Sequence, residues 1–107
     1  MTNCLFCKIS LGELPCNKVY EDNDFLVFHD LHPKAPIHVL VVPKRHIQSL
    51  AHLEEHDQSL MGKLTLLLQK IALTLNLTAG FRTIVNTGKG GGQEVFHLHY
   101  HLLGTPS

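Results

Sequence analysis

The sequence predicts an α+β fold with a mostly antiparallel sheet, and three observations carry that prediction. One long amphipathic pattern stands alone between two sets of short β-like segments. The first two of those segments are joined by a hairpin-turn sequence. The last, His97-Leu98-His99-Tyr100-His101-Leu102-Leu103, alternates polar and apolar residues with period two.

In chain order, the first fifteen residues, ending Leu14-Pro15, read as a short helical or irregular lead-in. Lys18-Val19-Tyr20-Glu21 and Phe25-Leu26-Val27-Phe28-His29-Asp30 are two strands about the turn Asp22-Asn23-Asp24. His32-Pro33-Lys34-Ala35-Pro36 is a loop, since its two prolines break both helix and central strand. Ile37-His38-Val39-Leu40-Val41-Val42-Pro43 is a β-branched strand that ends in Lys44-Arg45-His46. The helix is expected from about Glu54 to Leu77, where Leu60, Leu64, Leu67, Ile71 and Leu75 form one stripe that Met61, Leu68 and Ala72 widen. Such a breadth suits a helix packed on a sheet. Phe81-Arg82-Thr83-Ile84-Val85-Asn86 is a further strand. Thr87-Gly88-Lys89-Gly90-Gly91-Gly92-Gln93 is a glycine-rich loop leading into the histidine strand.

Length and charge bound the function. A chain of 107 residues is one domain, 1–107, able to bury a small core. Nine basic and nine acidic residues cancel, so no global field favours nucleic acid or membrane. Lys44-Arg45 lacks the interleaved aromatics of a nucleic-acid patch. No apolar run approaches the roughly 18 residues that span a bilayer. The N-terminus has no basic-then-apolar signal pattern, and three cysteines are too few for a disulfide framework. A reducing cytoplasm is the expected location.

Nine histidines are the compositional outlier. In the 97–103 strand, Leu98, Tyr100 and Leu102 are expected to face a core, with His97, His99 and His101 in a row on the opposite face. Imidazoles so placed can bind metal, or serve as nucleophile and proton carrier. His97 and His101 stand about 13 Å apart at roughly 3.3 Å per residue, too far to share one ion whose bonds are only about 2 Å long. A neighbouring pair with ligands from elsewhere remains open, as does nucleophilic chemistry in which one imidazole attacks while the next donates a hydrogen bond. The glycine loop before the strand can bring backbone N–H groups against an anion, which suggests a phosphate cradle. Cys4-Leu5-Phe6-Cys7 has the spacing of half a zinc site, or is a pair of ordinary thiols. His52 and His56 are expected in solvent, Cys16 as a plain thiol, and His32 without a role.

These blocks together resemble the histidine triad nucleotide-binding family, in its Hint-like branch. The resemblance is carried by Asn86-Thr87-Gly88 and by Gly91-Gly92-Gln93-Glu94-Val95-Phe96-His97-Leu98-His99-Tyr100-His101-Leu102-Leu103-Gly104. Phe6-Cys7-Lys8-Ile9, Phe28-His29-Asp30-Leu31 and Ala35-Pro36-Ile37-His38-Val39-Leu40-Val41-Val42-Pro43-Lys44 follow the family's order over nearly the whole chain. The resemblance implies a five-stranded antiparallel sheet with one long helix and a short N-terminal helix, paired as a two-fold dimer with a continuous ten-stranded sheet. It implies a hydrolase that cleaves purine nucleoside 5′-phosphoramidates, or related acyl or thio adducts, through a nucleotidyl-histidine. Dinucleoside-polyphosphate hydrolysis, or a nucleotide-regulated dimeric scaffold, is the alternative.

By the same resemblance His99 is the nucleophile and His101 its phosphate-side helper, with His97 and His38 orienting the pair. Asn86, Gly92 and the backbone around Gln93 and Glu94 line the phosphate site. His29, Asp30 and Leu31 contact the nucleoside, and Phe6 and Ile9 wall the base. No organic cofactor is implied. Some members with two N-terminal cysteines bind a structural zinc, which the resemblance places here at Cys4, Cys7, His46 and His97 and which leaves His97 contested between two roles. Glu94 stands where many members have serine. A carboxylate there repels phosphate unless it is protonated or faces the leaving group, and a basic leaving amine as its partner would favour cationic adducts.

Overall fold

The computed structural model describes residues 4–107. Its elements are helix α1 (Leu5–Ser10), strands β1 (Lys18–Glu21), β2 (Phe25–His29) and β3 (Ile37–Pro43), helix α2 (Gln58–Thr74), and strands β4 (Arg82–Ile84) and β5 (Tyr100–Gly104). The five strands form one antiparallel sheet in the order β1-β2-β3-β5-β4.

The β1–β2 hairpin is closed by Asp22. Its carboxylate accepts the backbone N–H groups of Asp24 (2.8 Å) and Phe25 (2.7 Å), and Tyr20 donates its hydroxyl to the same side chain. An aspartate that captures the turn's own amides makes the reversal locally favourable.

Alternation along the central strands divides the apolar residues between two layers. Phe25, Val27, Val39, Val41 and Leu102 face α2, where Leu64, Leu67, Leu68, Ile71 and Ala72 are buried. Leu26, Phe28, Leu40 and Val42 face the other way and are covered by Phe6 of α1. His38 and His101 lie on this second face, since His101 is opposite Leu40 and His38 is two residues from Leu40.

The expected α+β architecture is present, with shifts of boundary: the strand expected over Phe81–Asn86 is confined to Arg82–Ile84, where it pairs with β5, and the helix and the histidine strand are shifted too. The helix begins at Gln58 rather than Glu54, because Glu54–Asp57 folds into a separate turn in which Asp57 accepts the Glu54 N–H at 2.8 Å. It ends at Thr74 rather than Leu77, because Asn76 adopts φ +62° and closes the last turn in the left-handed region. The histidine strand is corrected most. Pairing with β3 begins at Tyr100, and the stretch from His97 to His99 leaves the ladder. There Leu98 donates its N–H to the Ile47 carbonyl at 2.6 Å, which draws the chain toward residues 46–49. The opposite face is not in open solvent either: His97 and His99 are buried, and only His101 is half-buried.

Candidate active site and metal cluster

On the α1 side of the sheet lies a cleft of about 500 Å³, a size that suits a small-molecule ligand. Phe6, Ile9, His29, Asp30, Leu31, Asn86, Gly92, Glu94, His99 and His101 all line it. Three expected site residues do not. His38 is buried behind His101, Gln93 is buried within the glycine loop, and the His97 side chain turns to the far side of the chain.

Hydrogen bonds fix the tautomers of the histidines. His99 Nδ1 lies 2.7 Å from the His97 carbonyl, which can only accept. Nδ1 therefore carries the proton, and Nε2 keeps a free lone pair. The Lys34 backbone N–H donates to His38 Nδ1 (3.1 Å), so neutral His38 holds its proton on Nε2 and donates it to His101 Nδ1 (2.9 Å). His101 must then carry its own proton on Nε2. The cleft thus presents a nucleophilic nitrogen on His99 and a donor on His101, with the two rings 5.1 Å apart.

Burial favours the neutral rings. It lowers the pKa of His99, and it lowers that of His101 with a further push from the His99 charge. It also lowers His38, against the opposing pull of the Asp30 carboxylate. An attacking imidazole must be neutral, so these shifts serve the chemistry.

Gln93 works by bracing. Its Oε1 accepts from Gly88 N (2.8 Å), and its Nε2 donates to the carbonyls of Gln48 (2.8 Å) and Val95 (3.0 Å). This ties both ends of the glycine loop. Gly88 (φ +71°) and Gly92 (φ +85°) supply the left-handed turns that it needs.

The second group is Cys4, Cys7, His46 and His97, whose ligand atoms all lie within 4.8 Å of one another. His97 donates Nε2–H to the Pro43 carbonyl (2.7 Å), which leaves Nδ1 as a lone pair. That Nδ1 is 3.2 Å from Cys4 Sγ, 3.5 Å from Cys7 Sγ and 3.2 Å from His46 Nδ1. Cys7 Sγ is 3.5 Å from His46 Nδ1. A tetrahedral ion bonded at about 2.0–2.1 Å to nitrogen and 2.3 Å to sulfur separates its ligands by roughly 3.3–3.8 Å. The donor set fits zinc in type, number and spacing. Burial holds His97 at about 4, and hence neutral, as a ligand must be. Burial, then the adjacent Cys4 sulfur, push the Cys7 thiol up to about 11, a cost that a bound divalent cation removes.

Asp30, His38 and His101 also converge, but the proton on His38 Nε2 bars that nitrogen from ligation. The sequence reading missed the segment Leu14 to Asn17 and Lys34, all of which border the cleft. The one available signal was Lys34, a cation in the proline loop four residues before His38. His97, contested between two roles, makes both contacts. Its backbone carbonyl orients His99 while its side chain serves the cysteine cluster, so the two roles in contest belong to different atoms of one residue.

Comparisons with known proteins show the family and the fold. A family profile described as HIT domain matches residues 11–107. Protein HitA of Neisseria gonorrhoeae is 54% identical over 106 residues, which cover 99% of each chain. The structure of a HIT family hydrolase from Legionella pneumophila superposes with a TM-score of 0.94 at 42% identity, over 98% of this chain and 95% of that one. A histidine triad protein from Clostridium difficile does so with a TM-score of 0.94 at 45% identity, over 100% and 94%.

Proposed function

The chain belongs to the histidine triad (HIT) family, and from that premise we propose that it is a Hint-like hydrolase of purine nucleoside 5′-phosphoramidates. The observation that carries this reading is the free Nε2 of His99, held by the His97 carbonyl in a cleft shared with the His101 donor.

The nucleoside lies between Phe6 and Ile9 on one side and Leu31 on the other, a leucine 88% exposed at the rim. Asp30 accepts from the ribose hydroxyls. The α-phosphate sits against His101 Nε2–H, with Asn86 and the backbone at Gly92 beside it. His99 Nε2 attacks phosphorus. The P–N bond breaks, its electron pair leaves with the amine nitrogen, and that nitrogen takes up a proton from solvent, which the attacking water of the second step returns to solvent. The resulting nucleotidyl-imidazole carries positive charge on a ring whose Nδ1–H still donates to the His97 carbonyl. Water attacks the same phosphorus, the P–N bond to His99 breaks, and the nucleoside monophosphate departs. His38 keeps His101 in the donating tautomer throughout.

Zinc held by Cys4, Cys7, His46 and His97 supplies a structural cross-link and takes no part in these steps. Two copies pair as a dimer with a continuous ten-stranded sheet, in the cytoplasm. Support for pairing comes from the open sheet edge at β4 and from Leu66 and Leu73, exposed at 69% and 61% on α2.

Adenosine 5′-phosphoramidate turnover tests the reading. The wild type releases adenosine monophosphate, and His99→Ala lowers the rate at least about 10³-fold with the fold retained. Equal rates in the two proteins would remove His99 as nucleophile.

A further inference from the structure

We infer that the Cys4–Cys7–His46–His97 cluster and the nucleotide cleft are energetically coupled, so that a metal in the cluster tightens nucleotide binding and nucleotide tightens the metal. The nucleotide is the ligand of the proposed function, and the coupling rests on that reading for the ligand's identity alone.

Two physical connections join the sites. The first is α1. Six residues cannot sustain a helix without tertiary support. Cys4 caps its start, accepting the Cys7 N–H at 3.3 Å, and Cys4 and Cys7 both reach the cluster. The same turn and a half puts Phe6 and Ile9 into the cleft. An ion that holds the two sulfurs therefore fixes the wall against which the nucleoside packs.

The second connection is residue 97. Its ring points Nδ1 at the cluster, while its carbonyl accepts from His99 Nδ1 at 2.7 Å. A displacement of His97 away from the sulfurs carries that carbonyl with it and loosens the bond that leaves His99 Nε2 free. Phe6 closes the circuit. Its ring meets His97 edge-on at 6.0 Å, His99 at 5.0 Å and Phe28 at 5.6 Å. Ligand, wall and nucleophile thus share one packed unit.

Linkage requires the effect to be reciprocal: the factor by which metal alters nucleotide affinity is the factor by which nucleotide alters metal affinity. A factor of about tenfold is expected, within the roughly 5–150-fold range of such couplings. His97 acts here as a positioning residue, and the ring of His99 reports on it.

The test uses zinc and adenosine monophosphate. Calorimetry gives the Kd of adenosine monophosphate for zinc-loaded protein and for protein stripped by a chelator, with loading checked by metal analysis and folding by circular dichroism. Stripping weakens binding about tenfold, and zinc restores it. Competition with a chromophoric chelator gives the zinc Kd, which tightens by the same factor at saturating nucleotide. Nitrogen-15 shifts of the His99 ring change from one tautomer to a mixture on stripping. If stripping unfolds the chain, cobalt(II) in place of zinc gives the answer in the folded holoprotein. Its thiolate-to-metal absorption shifts on nucleotide addition, and cobalt is released more slowly. Unchanged absorption and release overturn the coupling, as does a nucleotide Kd equal within twofold in loaded and stripped folded protein. Either of these leaves nucleotide binding itself intact. Absence of nucleotide binding by loaded protein overturns both the coupling and the proposed function.

Discussion

At the scale of single residues, the site is a set of tautomers. His99, His101, His38 and His97 are chemically identical side chains in the sequence. Each acquires its role from one hydrogen bond: to the His97 carbonyl, to His38, to the Lys34 N–H, or to the Pro43 carbonyl. Their burial has a measurable consequence. His38 and His101 have folded-state pKa values below the ordinary 6.5, so below that pH the unfolded chain binds more protons than the folded one. Their contribution to stability is full above pH 6.5 and is lost as the pH falls toward the folded values. Urea midpoints measured in zinc excess should hold from pH 8 to 7 and decline toward 5.5, less steeply in His38→Asn; a flat profile contradicts this. Glu94 is the residue of the cleft least suited to an anionic substrate. Exposed at the rim, it should favour amine leaving groups that bear a second positive charge. The effect of such an exposed charge is about 2–5-fold in kcat/KM and weakens with salt. Glu94→Gln should abolish the preference for lysine-type over butylamine-type phosphoramidates, and an unaltered ratio would exonerate the carboxylate.

At the scale of elements, α2 packed on the central strands carries the stability, whereas the cleft is built from the other face of those strands, where His38 and His101 sit, together with α1 and the glycine loop. Leu64 is fully buried between α2 and the sheet, in contact with a core that includes Phe25, Val27 and Val41. Leu64→Ala should cost about 2–5 kcal/mol, through lost transfer energy and a cavity that the sheet cannot close. Denaturant unfolding measures this; a loss under about 1 kcal/mol would mean that the layer repacks. The exposed Leu66, two residues away, should be near neutral in the isolated fold. The elements also differ in how far sequence foretold them. The helical stripe and the β1–β2 turn are local patterns whose physical cause lies within a few residues, and both formed as expected. The histidine strand was misjudged because alternation is also what an extended, unpaired segment shows. Only the competing bond from Leu98 to Ile47 decides where the ladder stops.

At the scale of the whole molecule, the five-stranded sheet leaves β1 and β4 as edges. Pairing through such an edge, with the exposed Leu73 of α2 as a candidate contact, predicts a dimer in solution. Sedimentation equilibrium should give about 24 kDa, twice the 12.0 kDa chain. A charged replacement at Leu73 should shift it toward monomer, and a monomeric wild type at micromolar concentration would refute the pairing. Among the described residues, no helix is long and apolar enough to cross a membrane.

The sequence by itself determined which side chains are available and which local structures they favour: the helix, the hairpin, the glycine loop, and a chain segment dense in imidazoles. Through its resemblance to the histidine triad family it also named ten residues that line one cleft. It could not divide the work among the histidines. Alternation specifies a face, but the proton on each ring is assigned by partners from distant segments, such as Pro43 for His97 and Lys34 for His38. The split of His97, with its side chain to the cysteines and its carbonyl to His99, depends on a departure from the ladder that no local pattern encodes. Gln93 was expected to contribute its backbone near the phosphate; that its side chain braces the loop by satisfying three backbone groups is visible only in the folded chain. Tertiary structure decides such matters because hydrogen bonds across the fold, unlike propensities along the chain, exist only once the chain has closed on itself.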